Sequence, residues 1–247
     1  MELKFFDSIC FVGKKTIPTP NIDSSASAVK AMLGSVNIKK ALLCPFESTE
    51  NGSIYYNDDV FEKWEDDGFF IPGFHLIPNP GESLEGPSYF EKFVKSKRPA
   101  VVYMFPNLYG YSVCLENVCD YFDTADMFKL PVRIPSGSIS DKELSAIAGK
   151  YKNIPFIISD MGFSANINIP LVMKRNENIL TDTTFYPAGG IEYLVGKFGS
   201  ERIVFSSKAP ELSPAAPAGR IIMSGLKDEE KENIAYKNLE RLTGRKL

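Results

Sequence analysis

Eight times along the chain a short apolar, β-rich run is followed by a polar or amphipathic stretch, and no other feature narrows the fold as far. The strand candidates are Lys4–Val12, Ala41–Phe46, Phe69–Ile77, Ala100–Phe105, Pro131–Pro135, Phe156–Asp160, Ile179–Phe185 and Arg202–Ser207. Near-continuous apolar runs such as Ala41-Leu42-Leu43-Cys44 suit parallel strands buried on both faces. Helical patterns fill the gaps over Ser24–Val36, Asp58–Asp67, Tyr89–Lys97, Leu115–Thr124, Asp141–Lys152, Ile167–Asn176 and Ile191–Phe198. The first places Ala28, Val29, Met32 and Leu33 on one face behind an Asp23/Ser24 cap. Ser140-Asp141-Lys142-Glu143 is a capping box ahead of Leu144 and Ile147. Eight such repeats within about 210 residues fit a closed (β/α)8 barrel better than a doubly wound sheet.

After the eighth strand come Pro214–Leu226 and a charged helix, Asp228–Leu242. Its stripe of Ile234, Leu239 and Leu242 predicts packing on the barrel exterior. No Gly/Ser-rich or Pro-rich linker divides the chain, so residues 1–247 are read as one domain. Residues 47–57 and 77–88 are long βα loops, which on a barrel form the C-terminal face where sites lie.

Charge narrows the partners. The 28 basic and 31 acidic residues are well mixed, for a net charge of −3. The one basic cluster, Arg241 to Lys246, reads as the solvated end of the last helix. Nucleic acid is therefore not expected as a partner, since phosphate neutralisation needs a clustered basic surface. The start lacks a basic segment followed by an apolar one, and no run approaches the roughly 18 apolar residues that span a bilayer. Cys10, Cys44, Cys114 and Cys119 show no metal-type spacing and read as reduced thiols. The expectation is a cytoplasmic protein without membrane contact.

Several segments resemble the amidohydrolase-related family of (β/α)8 barrels. Phe5-Phe6-Asp7-Ser8-Ile9-Cys10-Phe11 has the shape of that family's Asp-x-His-x-His opening strand. Phe105-Pro106-Asn107-Leu108-Tyr109-Gly110-Tyr111-Ser112 is similar to its fourth-strand exit. Leu130–Pro135 and Ile157-Ile158-Ser159-Asp160-Met161-Gly162 resemble its fifth and sixth strands. Gly199–Pro210 is similar to its final strand, and Asn238 with Leu242 to its terminal Asn-x-x-x-Leu helix. The resemblance implies a barrel with a metal centre at its C-terminal face. It also implies that the ligand positions fall at Ile9, Phe11, Pro135, Asp160 and Lys208. One carboxylate among five cannot retain a divalent ion, so neither a metal nor a cofactor is expected.

What remains is a set of inward-facing polar residues. Lys208 with Asp160 is the catalytic candidate: a desolvated lysine can act as nucleophile or base while a carboxylate shuttles protons. Equally, the two form a salt bridge that fills the place of the metal. Arg133 could clamp a carboxylate or phosphate, or it could pair with Asp7 or Asp182. Asn107 and Tyr109, with Tyr111 near them, could line a pocket or simply pack at the rim. His75, the single histidine, reads as a rim residue or a lone base, and Asp182 as a further inward carboxylate. Gly189-Gly190 before a helix is a weak phosphate signal. The expectation is a degenerate barrel, a pseudoenzyme or small-molecule-binding protein, with a small carboxylate or phosphate as ligand and a homo-oligomer as a possible assembly. One alternative is a metal-independent lyase, decarboxylase or hydrolase acting on a small acid through Lys208 and Asp160. Another is a regulatory or structural partner of an active paralogue.

Overall fold

A computed structural model of the chain describes residues 2–50, 56–78, 86–161, 169–184 and 189–247. Nine short strands run in chain order: β1 (Phe5–Val12), β2 (Ile38–Pro45), β3 (Phe70–Pro72), β4 (Phe74–His75), β5 (Val102–Tyr103), β6 (Val132–Pro135), β7 (Phe156–Ser159), β8 (Ile179–Asp182) and β9 (Ile203–Val204). Each pairs in parallel with its successor from β1 to β3 and again from β4 to β9. β3 and β4 are the two halves of the expected third strand, parted at Gly73, and both stay bonded to its neighbours. Gly73 N–H donates to Leu43 O, and Phe74 N–H to Val101 O.

The ends meet. Ser8 N–H donates to Phe205 O at 3.0 Å and Phe11 N–H to Ala209 O at 2.7 Å, so the last strand returns to the first. The architecture is an eight-stranded (β/α)8 barrel.

Side-chain parity along the strands builds two apolar layers. Phe5, Cys10, Val12, Val132, Ile134, Phe156 and Ile158 face the surrounding helices. Phe6, Ile9, Phe11, Leu42, Cys44, Tyr103, Ile157, Leu180 and Val204 fill the barrel interior. The alternation follows from the strand period of two.

β1 breaks that period. Its pairing with β2 shifts between Asp7 and Cys10, so Phe6 and Ile9 both face inward, as a bulge produces. Asp7 therefore does not share the face of Ile9 and Phe11, contrary to the simple count of two. It turns toward the last strand, where it accepts the Ser207 N–H at 2.9 Å and the Ser207 hydroxyl.

The outer helices begin with α1 (Ala26–Gly34), which buries Val29 and Leu33 and is capped by Ser25, not Ser24. Asp23 Oδ1 instead accepts the Ser25 N–H. The capping box at Ser140 forms as expected and opens the helix Asp141–Lys150. The connections after β7 and β8, residues 162–168 and 185–188, lie outside the described residues, as does the end of the expected strand to Phe185.

The terminal helix runs through Asp228–Glu232, a π-helical turn over Asn233–Lys237, and Asn238–Thr243. The expectation that it lies on the barrel exterior holds only in part. Ile234 and Ala235 join the outer layer, whereas Leu239 joins the interior cluster and Leu242 packs against it. Asn238 Nδ2 donates to the carbonyls of Ser200 and Ile203 at 2.8 and 2.7 Å. The helix thus plugs the end of the barrel from which the strands start, leaving the opposite end free. Among the described residues no helix is long and apolar enough to cross a membrane.

Candidate functional site

The strands' carboxyl ends open into a cavity of about 430 Å³. Ile9, Phe11, Pro135, Asp160 and Lys208 all line it. These are the five positions that the family resemblance implies for metal ligands, and they come from β1, β6 and the residues that follow β7 and β9. Phe46, Phe105 and Leu108 extend the apolar wall, with Phe11 and Phe46 stacked at 5.1 Å.

Lys208 Nζ lies 3.1 Å from Asp160 Oδ2, and both side chains are about a quarter exposed. Each of the two residues has a left-handed backbone, with φ of 58° for Lys208 and 57° for Asp160. That conformation costs a non-glycine residue free energy. It turns the chain sharply at the end of each strand and delivers the two side chains to one place. Asp160 Oδ1 is buried and has no hydrogen-bond partner among the described residues.

Beneath the pair lies a fully internal polar network. Arg133 donates to Asp182 Oδ2 at 2.6 Å, to Ser8 Oγ at 3.1 Å and to Ser206 Oγ at 3.4 Å. Thr184 Oγ1 completes it at 2.8 Å from Asp182 Oδ2. Asp182 is thus the partner of Arg133, and Asp7 is not. Burial pushes the Asp7 carboxyl up to about 7, against the Ser207 and Ile9 hydrogen bonds and the Arg133 charge.

Of the candidates named from sequence, Lys208, Asp160, Arg133 and Asn107 line the cavity. Three do not. Asp182 lies below Arg133 with no exposed surface. Tyr109 donates its hydroxyl to Ser48 O at 2.6 Å and packs its ring on His75 at 5.2 Å. His75 is buried behind Phe105 and Tyr109, while its backbone is held by the side chain of Asn57. Burial pushes the His75 imidazole down to about 4, partly offset by the Ser48 carbonyl, so it is neutral near pH 7. The weak phosphate signal at Gly189-Gly190 adjoins residues 185–188, outside the described residues.

The sequence reading missed Lys15 and Glu211. Lys15 Nζ stands 3.0 Å from Glu211 and 4.8 Å from the Phe46 ring centroid, so the loops after the first and last strands meet across the cavity. Nothing local marks either residue; only the closure of the barrel brings together positions 196 apart. Among the described residues no three His, Cys, Asp or Glu side chains are grouped so as to hold one metal ion.

No protein-family model matches the sequence, and no match is found among curated proteins. Solved structures do match. An uncharacterised TIM-barrel protein of Bordetella bronchiseptica is 14% identical, with 90% of this chain and 84% of that one covered at a TM-score of 0.73. The 2,6-dihydroxybenzoate decarboxylase of Rhizobium is 10% identical over 98% of this chain and 99% of its own, at 0.71. The 5-carboxyvanillate decarboxylase of Novosphingobium aromaticivorans, complexed with manganese and a nitrobenzoic acid, is 11% identical over 98% and 96%, at 0.69. At these identities the likeness is one of fold.

Proposed function

We propose that this barrel acts on a small carboxylic acid at its C-terminal mouth, using Lys208 and Asp160 in place of a divalent metal. The observation that carries the reading is the 3.1 Å pair on the wall of a cavity that is otherwise largely apolar. A manganese ion, as in the similar decarboxylase, needs several oxygen or nitrogen ligands. Here Asp160 supplies the single carboxylate among the five positions, and Lys208 places a cation where a second ligand would stand. The donor set does not fit the ion.

The pair can do other chemistry. The Lys208 ammonium attracts a substrate carboxylate and can give a proton to the carbon that keeps the electron pair of the breaking bond. Asp160 can take up a proton and return it. The apolar side chains beside the pair lower the local dielectric and strengthen both effects. Loss of carbon dioxide, or another lyase reaction at a carbon beside the carboxylate, is the class that these groups support. The similar barrels named as decarboxylases support an active protein and give no support to an inert one.

The test is a screen of small carboxylates and phosphates by thermal unfolding, with product analysis of each compound that stabilises the protein. Wild type is expected to respond to a carboxylate, and the Lys208→Met/Asp160→Asn double variant to lose the response while staying folded. A compound that stabilises both proteins equally removes the pair from any role. Elemental analysis of the protein after gentle purification should find far less than one tightly held transition metal per chain; a stoichiometric ion at the mouth would refute the metal-independent reading.

A further inference from the structure

The cavity carries its charges in matched pairs. Lys208 faces Asp160 at 3.1 Å, Lys15 faces Glu211 at 3.0 Å, and beneath them Arg133 faces Asp182 at 2.6 Å. A singly charged ligand entering such a site takes one member of a pair and strands the other, which is costly away from water. A ligand with both charges replaces both halves of a pair at once.

Asp160 adds a second, independent sign. Its Oδ2 serves Lys208, while its Oδ1 is buried with no partner among the described residues. A buried acceptor left unmatched is destabilising until a donor reaches it. The Asp160 side chain is about a quarter exposed on the cavity wall, so an ammonium group, with three donors and a positive charge, can reach its carboxylate. The remaining wall, with Phe11, Phe46 and Phe105, asks for an apolar body, and a cavity of about 430 Å³ leaves room for one.

We propose, building on the small-acid reading of this site, that its ligand is a zwitterion. It is an amino acid whose carboxylate docks on Lys208, whose ammonium docks on Asp160 and whose apolar side chain lies along the phenylalanines.

Calorimetric titration of the full chain with two matched sets tests this. The first set is phenylalanine, 3-phenylpropanoate and 2-phenylethylamine; the second is leucine, 4-methylpentanoate and 3-methylbutylamine. Within each set the body is the same and one or both charges are present. In at least one set the amino acid should bind at least tenfold more tightly than either singly charged analogue. Asp160→Asn should erase its advantage over the plain acid, and Lys208→Met its advantage over the amine. If the plain acids bind as tightly as the amino acids, the zwitterion is refuted while the small-acid reading survives. If the amines bind as tightly, the carboxylate seat on Lys208 is refuted. If none of the six binds, the zwitterion is refuted, and the small-acid reading is decided by the carboxylate screen. The wild-type comparison decides these cases whether or not the variants fold.

Discussion

Two buried groups set how the protein answers pH, and they pull in opposite directions. The folded chain keeps the proton of Asp7 up to about pH 7, whereas an unfolded aspartate releases it near 4. The folded state binds more protons across that window, so this contribution to stability falls as pH rises through it. His75 remains neutral down to about pH 4, while an unfolded histidine charges below about 6.5. Its contribution falls as pH drops through that range. Asp7→Asn should therefore make stability fall more steeply toward acid than in wild type, and His75→Leu should flatten that fall. Urea unfolding at several pH values between 4.5 and 7.5 checks both; an Asp7→Asn curve parallel to wild type throughout would refute the assignment.

Lys208 offers a second prediction at the same scale. Glycine relieves its left-handed backbone and alanine does not, though both delete the ion pair. Lys208→Gly should be more stable than Lys208→Ala by about 1 kcal/mol, as measured by chemical unfolding. Equal stability of the two variants would mean that the backbone there carries no strain. How far these residues were readable from sequence differs by kind. The pairing of Lys208 with Asp160 followed from the resemblance, which puts both at positions where the family's ligands converge on one ion. The partner of Arg133 stayed ambiguous because a bulge in the first strand reverses the face that Asp7 occupies, and a count by twos cannot see a bulge. His75 on the third strand and Tyr109 on a βα loop look like site residues, yet their rings pack against each other behind the cavity wall.

Among the elements, the interrupted third strand is the most exacting. A methyl group on Gly73 would come within 2.3 Å of the Tyr103 ring and 2.7 Å of Val101, both in the barrel interior. The missing side chain is the space that Tyr103 fills on its way to Ser8 O, where its hydroxyl donates at 3.3 Å. Gly73→Ala should destabilise the fold by about 1–3 kcal/mol, the cost of overpacking, and combining it with Tyr103→Phe should not restore it, because the clash is with the ring. A Gly73→Ala protein as stable as wild type would show that the ring can move aside. The strand and helix alternation was plain in the sequence because parallel strands covered on both faces are uniformly apolar. The break at Gly73 was not, since glycine within a β-rich run marks a bulge, a bend or a close contact alike.

For the whole molecule, the terminal helix matters out of proportion to its length. Sequence placed its stripe on the outside of the barrel, since a stripe reports which side of a helix is apolar and not what it meets. Leu239, which the fold buries almost completely, lies in the interior cluster with Phe6, Ala100 and Val204. Leu239→Ala should cost about 2–5 kcal/mol, as for other fully buried leucines, whereas trimming the exposed Met223 should change stability by less than about 0.5 kcal/mol. Denaturant midpoints of the two variants separate the cases; similar losses at both positions would refute the plug.

Closure through the last strand and this helix also bears on synthesis. The bonds that shut the barrel join Ser8 to Phe205 and Phe11 to Ala209, and Phe205 N–H in turn reaches Ile234 O. A ribosome that has delivered the first seven strands has made an open, curved sheet with a raw edge at each side. Such edges recruit other chains. Until those closing residues emerge, the bonds that shut the barrel cannot form, and an early stop in synthesis leaves a sheet that cannot close.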